Sequence, residues 1–122
     1  MTLQDLRQYN SIHAEKNRIS KRLETLRLEL AEAENEEIKA DIKTLYSTLE
    51  SLHKKQLTKE LEITKQIEQI QDVQIRVLIE LHYIDGLSWN MVANKIGGGN
   101  TEDSCRKRVT RYFKKLSDMS VT

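Results

Sequence analysis

Hydrophobic residues recur at helical spacing along the first 71 residues, which contain neither glycine nor proline. In one series, Ile12, Ile19, Leu26 and Ala33 are seven positions apart, and Leu23 and Leu30 lie between them. This is the spacing of a seam along a long helix. A second series, interrupted at Gln56 and Lys59, contains Ile38, Ile42, Leu45, Leu49, Leu52, Ile63, Ile70, Val73 and Val77. The pattern predicts two long helices.

The acidic segment 32–37 separates the two series, and it contains Asn35, a residue suited to a turn or a helix cap. We therefore expect an antiparallel helical hairpin over residues 1–71, with arms of about 30 residues, or roughly 45 Å. The heptads fit either packing within one chain or a dimer seam. Leu28, Leu57 and Leu61 lie off both seams, so we expect a homo-oligomer, with a dimer favoured, or another partner on this hairpin.

Residues 72–122 have a different pattern, with short apolar stretches divided by glycine. Asp72 can cap a new helix from Val73 to Ile84, or the long arm can continue through it; the sequence leaves both open. Gly86 then ends this helix in a left-handed conformation, and Ser88 is placed as the N-cap of a helix that begins at Trp89.

The helix that begins at Trp89 is short and amphipathic. Its apolar face is formed by Met91 or Val92 together with Ile96, and Ala93 allows a second helix to cross closely. The three glycines at 97–99 stop it abruptly.

A second helix is predicted from about residue 101 to 116, because Asn100 or Thr101 can cap it and two acidic residues stand in its first turn. Its apolar stripe consists of Cys105, Val109, Tyr112 and Leu116, with Phe113 beside them. Six basic residues and no acidic residue stand between Ser104 and Ser117. They fall on the flanks and the outer face, which is the side that a recognition helix places in the major groove of DNA.

Four short motifs in this region resemble region 4 of the sigma-70 family: Gly86-Leu87-Ser88-Trp89, Val92-Ala93, Ile96-Gly97 and Ser104-Cys105-Arg106-Lys107-Arg108-Val109-Thr110-Arg111. In particular, they are similar to the small sigma-like regulators of phages and prophages of low-GC Gram-positive bacteria. The turn from Gly98 to Asp103 is longer than in the sigma pattern, and no segment resembles the sigma region that contacts the second promoter element. The resemblance therefore implies a helix-turn-helix transcriptional regulator and favours a phage activator, with RNA polymerase as a further partner.

The predicted DNA-binding residues divide by role. Residues at the N-terminal part of the second helix are placed to contact bases, with Arg106 and Lys107 the best guanine donors; they are Asn100, Thr101, Asp103, Arg106, Lys107 and Thr110. Arg108, Lys114 and Lys115 are expected to contact phosphates. Ser88 and Arg111 complete the predicted interface with double-stranded DNA.

Composition and residue types exclude several other classes. The net charge is only +1, so the local basic cluster rather than the whole-chain charge indicates DNA. Cys105 is the only cysteine and is expected to be buried, which argues against a disulfide and for a reducing cytoplasm. Three dispersed histidines and no nucleophile arrangement predict neither a metal site, a cofactor nor catalysis, and we expect no membrane segment.

Two alternative functions remain from the sequence. A small terminase-like subunit of a phage also joins a helix-turn-helix to coiled-coil helices, but it assembles into a ring that recognises packaging sites. In the second alternative the hairpin is a coiled-coil protein-interaction module, and the basic helix is only a solvated face. If the protein is a transcriptional regulator, residues 1–71 provide oligomerisation or partner binding and residues 72–122 form the DNA-binding domain.

Overall fold

The computed structural model describes residues 1–120 and the side chains of residues 1–119, and every regular element in that range is helical. The elements are α1 (Leu3–Glu32), α2 (Glu36–Glu68), α3 (Val73–Ile79), which continues as one π-helical turn (Glu80–Ile84), α4 (Trp89–Ile96) and α5 (Glu102–Ser120). This confirms the predicted all-α fold, with a long N-terminal helical hairpin before a C-terminal helix-turn-helix. No helix among these residues has the length and hydropathy needed to cross a bilayer.

The chain forms two compact units. The first contains Met1–Asn10 and the residues from Glu62 onward, and the second is Ser11–Leu61. These units differ from the predicted division between residues 71 and 72. The start of α1 and the end of α2, with the buried Leu6 and Ile67, belong to the first unit. Periodicity along a helix does not reveal where its packing changes from one unit to another.

The Ser11–Leu61 unit contains the chain reversal of the hairpin. α1 ends at Glu32 and α2 begins at Glu36. The side-chain oxygen of Asn35 accepts hydrogen bonds from the backbone N–H groups of Glu37 (2.8 Å) and Ile38 (3.3 Å). Asn35 therefore caps α2, as its position in the acidic segment predicted, and it satisfies donors that the first helical turn leaves without a partner.

The buried seam of α2 runs through polar residues, and this corrects the predicted break at Gln56. The less exposed positions recur at alternating intervals of four and three residues; they are Ile42, Tyr46, Leu49, His53, Gln56, Glu60, Ile63 and Ile67, and Ile70 continues the pattern just after the helix. Five members of the predicted apolar series are exposed instead: Ile38 (52%), Leu45 (42%) and Leu52 (42%) on α2, and Val73 (58%) and Val77 (37%) on α3. On α1 the prediction holds, since Ile19 and Leu26 are buried.

Glu60 is the charged residue buried in this seam, and α1 supplies its partners. Its carboxylate lies 2.7 Å from Nζ of Lys16 and 3.1 Å from Nδ1 of His13. Burial by itself raises the pKa of Glu60, but the hydrogen bonds and charges of Lys16 and His13 outweigh it and hold the pKa below its usual value. Because these contacts join early α1 to late α2, they fix the antiparallel register of the two arms.

The first unit has its own apolar core, to which each of its helices contributes. The residues with almost no exposure are Leu6, Ile67, Leu78, Ile79, Val92, Cys105 and Val109. α3 starts as a new helix, since Oδ1 of Asp72 accepts from the N–H groups of Gln74 (3.0 Å) and Ile75 (3.2 Å). This decides between the two arrangements that the sequence left open around Asp72.

Candidate nucleic-acid interface

The entrance to α4 is built by a glycine and a serine. Gly86 has φ of 77°, a left-handed conformation that ends the π-helical turn at little steric cost. The Ser88 hydroxyl then accepts a hydrogen bond from the N–H group of Met91 at 3.2 Å. Both roles were predicted, and α4 begins at Trp89 as expected. Ser88 is exposed, so its hydroxyl retains access to a ligand while it caps the helix.

His82 and Trp89 connect the π-helical turn to the first turn of α4. Their rings stack with centroids 3.9 Å apart, and Nδ1 of His82 lies 2.7 Å from the backbone oxygen of Leu87. Tyr83 packs edge-on against Trp89 with centroids 6.0 Å apart. Trp89 therefore packs against its own fold, and the position of α4 is defined by aromatic contacts that the sequence pattern did not reveal for His82.

α4 packs through Val92 and Ala93, which are 0% and 4% exposed. Of the two residues that the sequence offered for its apolar face, the structure buries Val92 and leaves Met91 54% exposed. Ile96, which the sequence placed on the same apolar face, is 37% exposed and lines a cavity with Val73 and Val77.

The turn between α4 and α5 depends on backbone conformations that favour glycine. Gly97 ends α4 with φ of 69° and ψ of −152°, a combination almost restricted to glycine. The Asn100 side chain donates a hydrogen bond to the Gly97 oxygen at 2.7 Å and is half-buried. Asn100 therefore stabilises the turn, and it is less accessible than the other predicted base-contacting residues.

Thr101 rather than Asn100 caps α5, through a reciprocal pair of hydrogen bonds with Ser104. The Thr101 hydroxyl accepts from the Ser104 N–H group at 3.1 Å, and the Ser104 hydroxyl accepts from the Thr101 N–H group at 2.9 Å. Ser104 had no assigned role from the sequence, although serine three residues after a capping threonine resembles a capping box. The cap fixes the start of the helix that carries the basic residues.

α5 is longer than predicted and buries a slightly different face. It extends from Glu102 to Ser120, beyond the expected end at residue 116. Cys105, Val109 and Phe113 are buried, while Leu116 is 40% exposed. The buried stripe therefore follows intervals of four residues, and Phe113 takes the place after Val109 that the prediction gave to Tyr112, which is half-buried. The expected burial of Cys105 is confirmed, with 0% exposure.

Arg106 and Lys107 are paired with Asp103 at the start of α5. One guanidinium nitrogen of Arg106 lies 2.6 Å from Oδ1 of Asp103, and Nζ of Lys107 lies 2.8 Å from Oδ2. The hydrogen bond from Lys107, followed by that from Arg106, lowers the pKa of Asp103. All three side chains are more than half exposed. The two cations can therefore exchange this carboxylate for another hydrogen-bond acceptor at the surface.

The outer face of α5 carries most of the remaining predicted residues. Lys107 stands two positions from both Cys105 and Val109, which places it roughly opposite the buried stripe of a helix with 3.6 residues per turn. Exposed residues at helical spacing continue this face; they are Asp103, Lys107, Thr110, Arg111 and Lys114. Arg106 and Lys115 are also exposed, one on each flank. The structure thus brings these predicted side chains onto one solvent-accessible surface of a single helix.

Arg108 departs from this arrangement. It is half-buried and lines a cavity of about 210 Å³ together with Val73, Val77, Ile96 and Asn100. Its position follows from the helical period, since Arg108 directly precedes the buried Val109 and lies beside the buried stripe. Of the three residues expected to contact phosphates, Lys114 and Lys115 are exposed and Arg108 is partly enclosed.

α4 adds polar side chains that the sequence analysis did not assign. Asn90, Asn94 and Lys95 are exposed on this helix, on the side away from Val92 and Ala93. The first helix of a helix-turn-helix crosses the DNA backbone, so residues of this kind can contact phosphate oxygens. Alternation of polar residues with the buried pair was the signal that would have identified them.

Comparison with known proteins adds no assignment to this geometry. No protein-family model matches the chain, and neither a curated protein nor a solved structure matches it significantly.

Proposed function

We propose that this protein is a sequence-specific DNA-binding transcriptional regulator, of the sigma-70 region 4-like type found in phages, which reads the major groove with α5. The observation that carries the proposal is the exposed basic face of α5, positioned by a capped start at Thr101 and by a buried stripe at Cys105, Val109 and Phe113. Arg106 and Lys107 near its N-terminal end are the proposed base readers.

The remaining parts of the proposal concern contacts other than bases. Lys114 and Lys115 supply phosphate contacts, and α4 adds Asn90 and Asn94 where it crosses the DNA backbone. RNA polymerase is the proposed second partner in the cytoplasm, since a regulator that resembles a sigma region acts at promoters. The proposed role is binding rather than catalysis.

A selection of bound sequences from random DNA duplexes tests the proposal. We expect one enriched motif, and we expect Arg106→Ala and Lys107→Ala each to relax the preference at one or two base pairs, by roughly 1–3 kcal/mol of discrimination. Helicity measured by circular dichroism should not change, because both side chains are exposed. Lys95→Ala on α4 is the matched control, which should weaken binding without altering the selected motif.

Two results would contradict this proposal. If no motif is enriched, or if both variants bind the selected site with the mismatch penalties of the wild type, α5 is not the reading helix. Measurement of the solution mass addresses the terminase-like alternative at the same time, since a ring of many subunits would support an assembly role over a regulator.

A further inference from the structure

One flank of α2, directly beside its buried seam, carries hydrophobic residues that its own unit leaves exposed. Ile38, Leu45 and Leu52 are 52%, 42% and 42% exposed, and they stand seven residues apart. They lie outside the seam formed by Ile42, Leu49 and Gln56, which the hairpin covers more fully. Seven-residue spacing over two heptads, roughly 21 Å of helix, is the arrangement of one side of a coiled-coil contact.

Charges flank this stripe asymmetrically. The segment 34–44, at its N-terminal end, has an acidic excess of two, with Glu34, Glu36, Glu37 and Asp41 against Lys39 and Lys43. The segment 46–59, at its C-terminal end, has a basic excess of two, with Lys54, Lys55 and Lys59 against Glu50. A parallel pair of such helices would place like charges together at both ends. An antiparallel pair would place each acidic end beside a basic end, which favours association and fixes the register.

We propose that two copies of this chain associate through this flank of α2, antiparallel and with Leu45 at the two-fold axis. In this arrangement Ile38 of one copy packs against Leu52 of the other, and each Leu45 meets its own equivalent. A two-fold interface is self-complementary, so one stripe with opposite charges at its two ends is sufficient for both partners. This inference does not rest on the proposed DNA-binding function.

The assignment differs from the oligomer seam that periodicity alone suggested. Leu26 is 4% exposed within its own chain, and Leu49 is half-buried, so charged substitutions there would disrupt the hairpin itself. Substitution at Leu45 removes a surface contact instead. The two effects can therefore be separated by measuring helicity together with mass.

Sedimentation velocity over a series of protein concentrations tests the association. We expect the wild type to form a dimer that weakens as salt rises, because exposed ion pairs are screened. Leu45→Glu should sediment as a monomer with unchanged helicity, since it places two carboxylates at the axis. Leu28→Glu is the control, because Leu28 is 58% exposed on α1 and lies outside the stripe. A monomeric wild type at all concentrations, or a Leu45→Glu dimer, would overturn the proposal.

Cysteine cross-linking under a mild oxidant tests the orientation. Leu45→Cys should form a covalent dimer efficiently, whereas Ile38→Cys alone should not, and a mixture of Ile38→Cys and Leu52→Cys should form the heterodimer. The native Cys105 is 0% exposed, so the wild type serves as the uncross-linked control. Efficient cross-linking of Ile38→Cys with itself would indicate a parallel pair and contradict the proposed arrangement.

Discussion

The Asp103 carboxylate pairs with Lys107 one turn later in α5, with Oδ2 and Nζ 2.8 Å apart. The same carboxylate holds Arg106 through its other oxygen at 2.6 Å. The two best candidates for base contacts are therefore oriented together by one acidic residue in the first turn of the helix. In the proposed complex, a guanine or a phosphate would compete with Asp103 for these cations.

Asp103→Asn is expected to strengthen binding to non-specific DNA and to steepen its dependence on salt. The substitution releases two cations and removes a negative charge near the DNA backbone, so log affinity should fall faster with log salt, by about 0.9 for each added phosphate contact. Fluorescence anisotropy at several salt concentrations measures both quantities. Glu102→Gln is the matched control, because it removes the same charge one residue earlier without releasing either cation. Equal effects of the two substitutions would show that the ion pairs of Asp103 do not limit DNA binding by Arg106 and Lys107.

Lys114 and Arg108 should differ in their contributions to DNA binding. Lys114→Ala removes an exposed cation, so it should lower the salt slope by about one phosphate contact, roughly 0.9, and leave stability unchanged. Arg108→Ala should change the slope less, because Arg108 is half-buried beside Val73 and Ile96. It should instead reduce the free energy of unfolding, since the half-buried side chain lines that cavity and its apolar stem is shielded from water there. A larger slope change for Arg108→Ala would contradict this assignment.

The sequence predicted the parts of this site that depend on local chemistry. Ser88 and Gly86 act as predicted because a helix cap and a left-handed turn need only neighbouring residues. The enclosure of Arg108 depends on Val73 and Val77 of another helix, and no pattern within α5 contains that information. The pairing of Lys107 with Asp103 was accessible in principle from their spacing of four residues.

Thr101→Ala is expected to destabilise the start of α5 by about 1 kcal/mol, which is typical for loss of a side-chain cap. The substitution leaves the Ser104 N–H group without its hydroxyl partner at 3.1 Å. Chemical denaturation followed by the fluorescence of Trp89, the only tryptophan, measures the change. Thr110→Ala is the control: its hydroxyl donates to the Arg106 oxygen within the helix at 3.0 Å, so its loss should cost less. Equal stability of both variants would exclude a capping role for Thr101.

The long helices were predictable, but the residues of their seam were not all predictable. Counting only apolar positions placed Leu45 and Leu52 in the α2 seam and treated Gln56 as a break. The seam instead continues through Gln56 and Glu60, because Lys16 and His13 on α1 make burial of the Glu60 carboxylate possible. Such partners come from the opposite arm, so periodicity along α2 alone cannot identify them.

Glu60→Gln should destabilise the hairpin at neutral pH by about 1.5–3 kcal/mol, the usual contribution of a hydrogen bond to a charged group. The pKa of Glu60 is held below the ordinary value of 4.5, so its stabilising contribution is present above pH 4.5 and is lost as pH falls through the lowered pKa. The difference in free energy of unfolding between wild type and variant should shrink with acidification, as measured by urea denaturation. A difference independent of pH would contradict the ion-pair role. Glu50→Gln, at an exposed position of α2, supplies the control.

Glu80→Gln should show the opposite dependence on pH. Burial raises the pKa of Glu80 above 4.5, and the neighbouring Glu68 carboxyl raises it further, while Arg76 opposes the shift. A carboxyl with a raised pKa favours the folded state below pH 4.5, and this contribution is lost as pH rises through the raised pKa. The variant cannot ionise, so at neutral pH it should be more stable than the wild type, and this advantage should disappear in acid. Glu62→Gln is the control in urea denaturation, because Glu62 is exposed near the C-terminal end of α2, where Glu68 also lies. If the Glu80→Gln protein were less stable than the wild type at neutral pH, the ionised carboxylate would have a stabilising partner. Repulsion between Glu80 and Glu68 would then not explain the raised pKa.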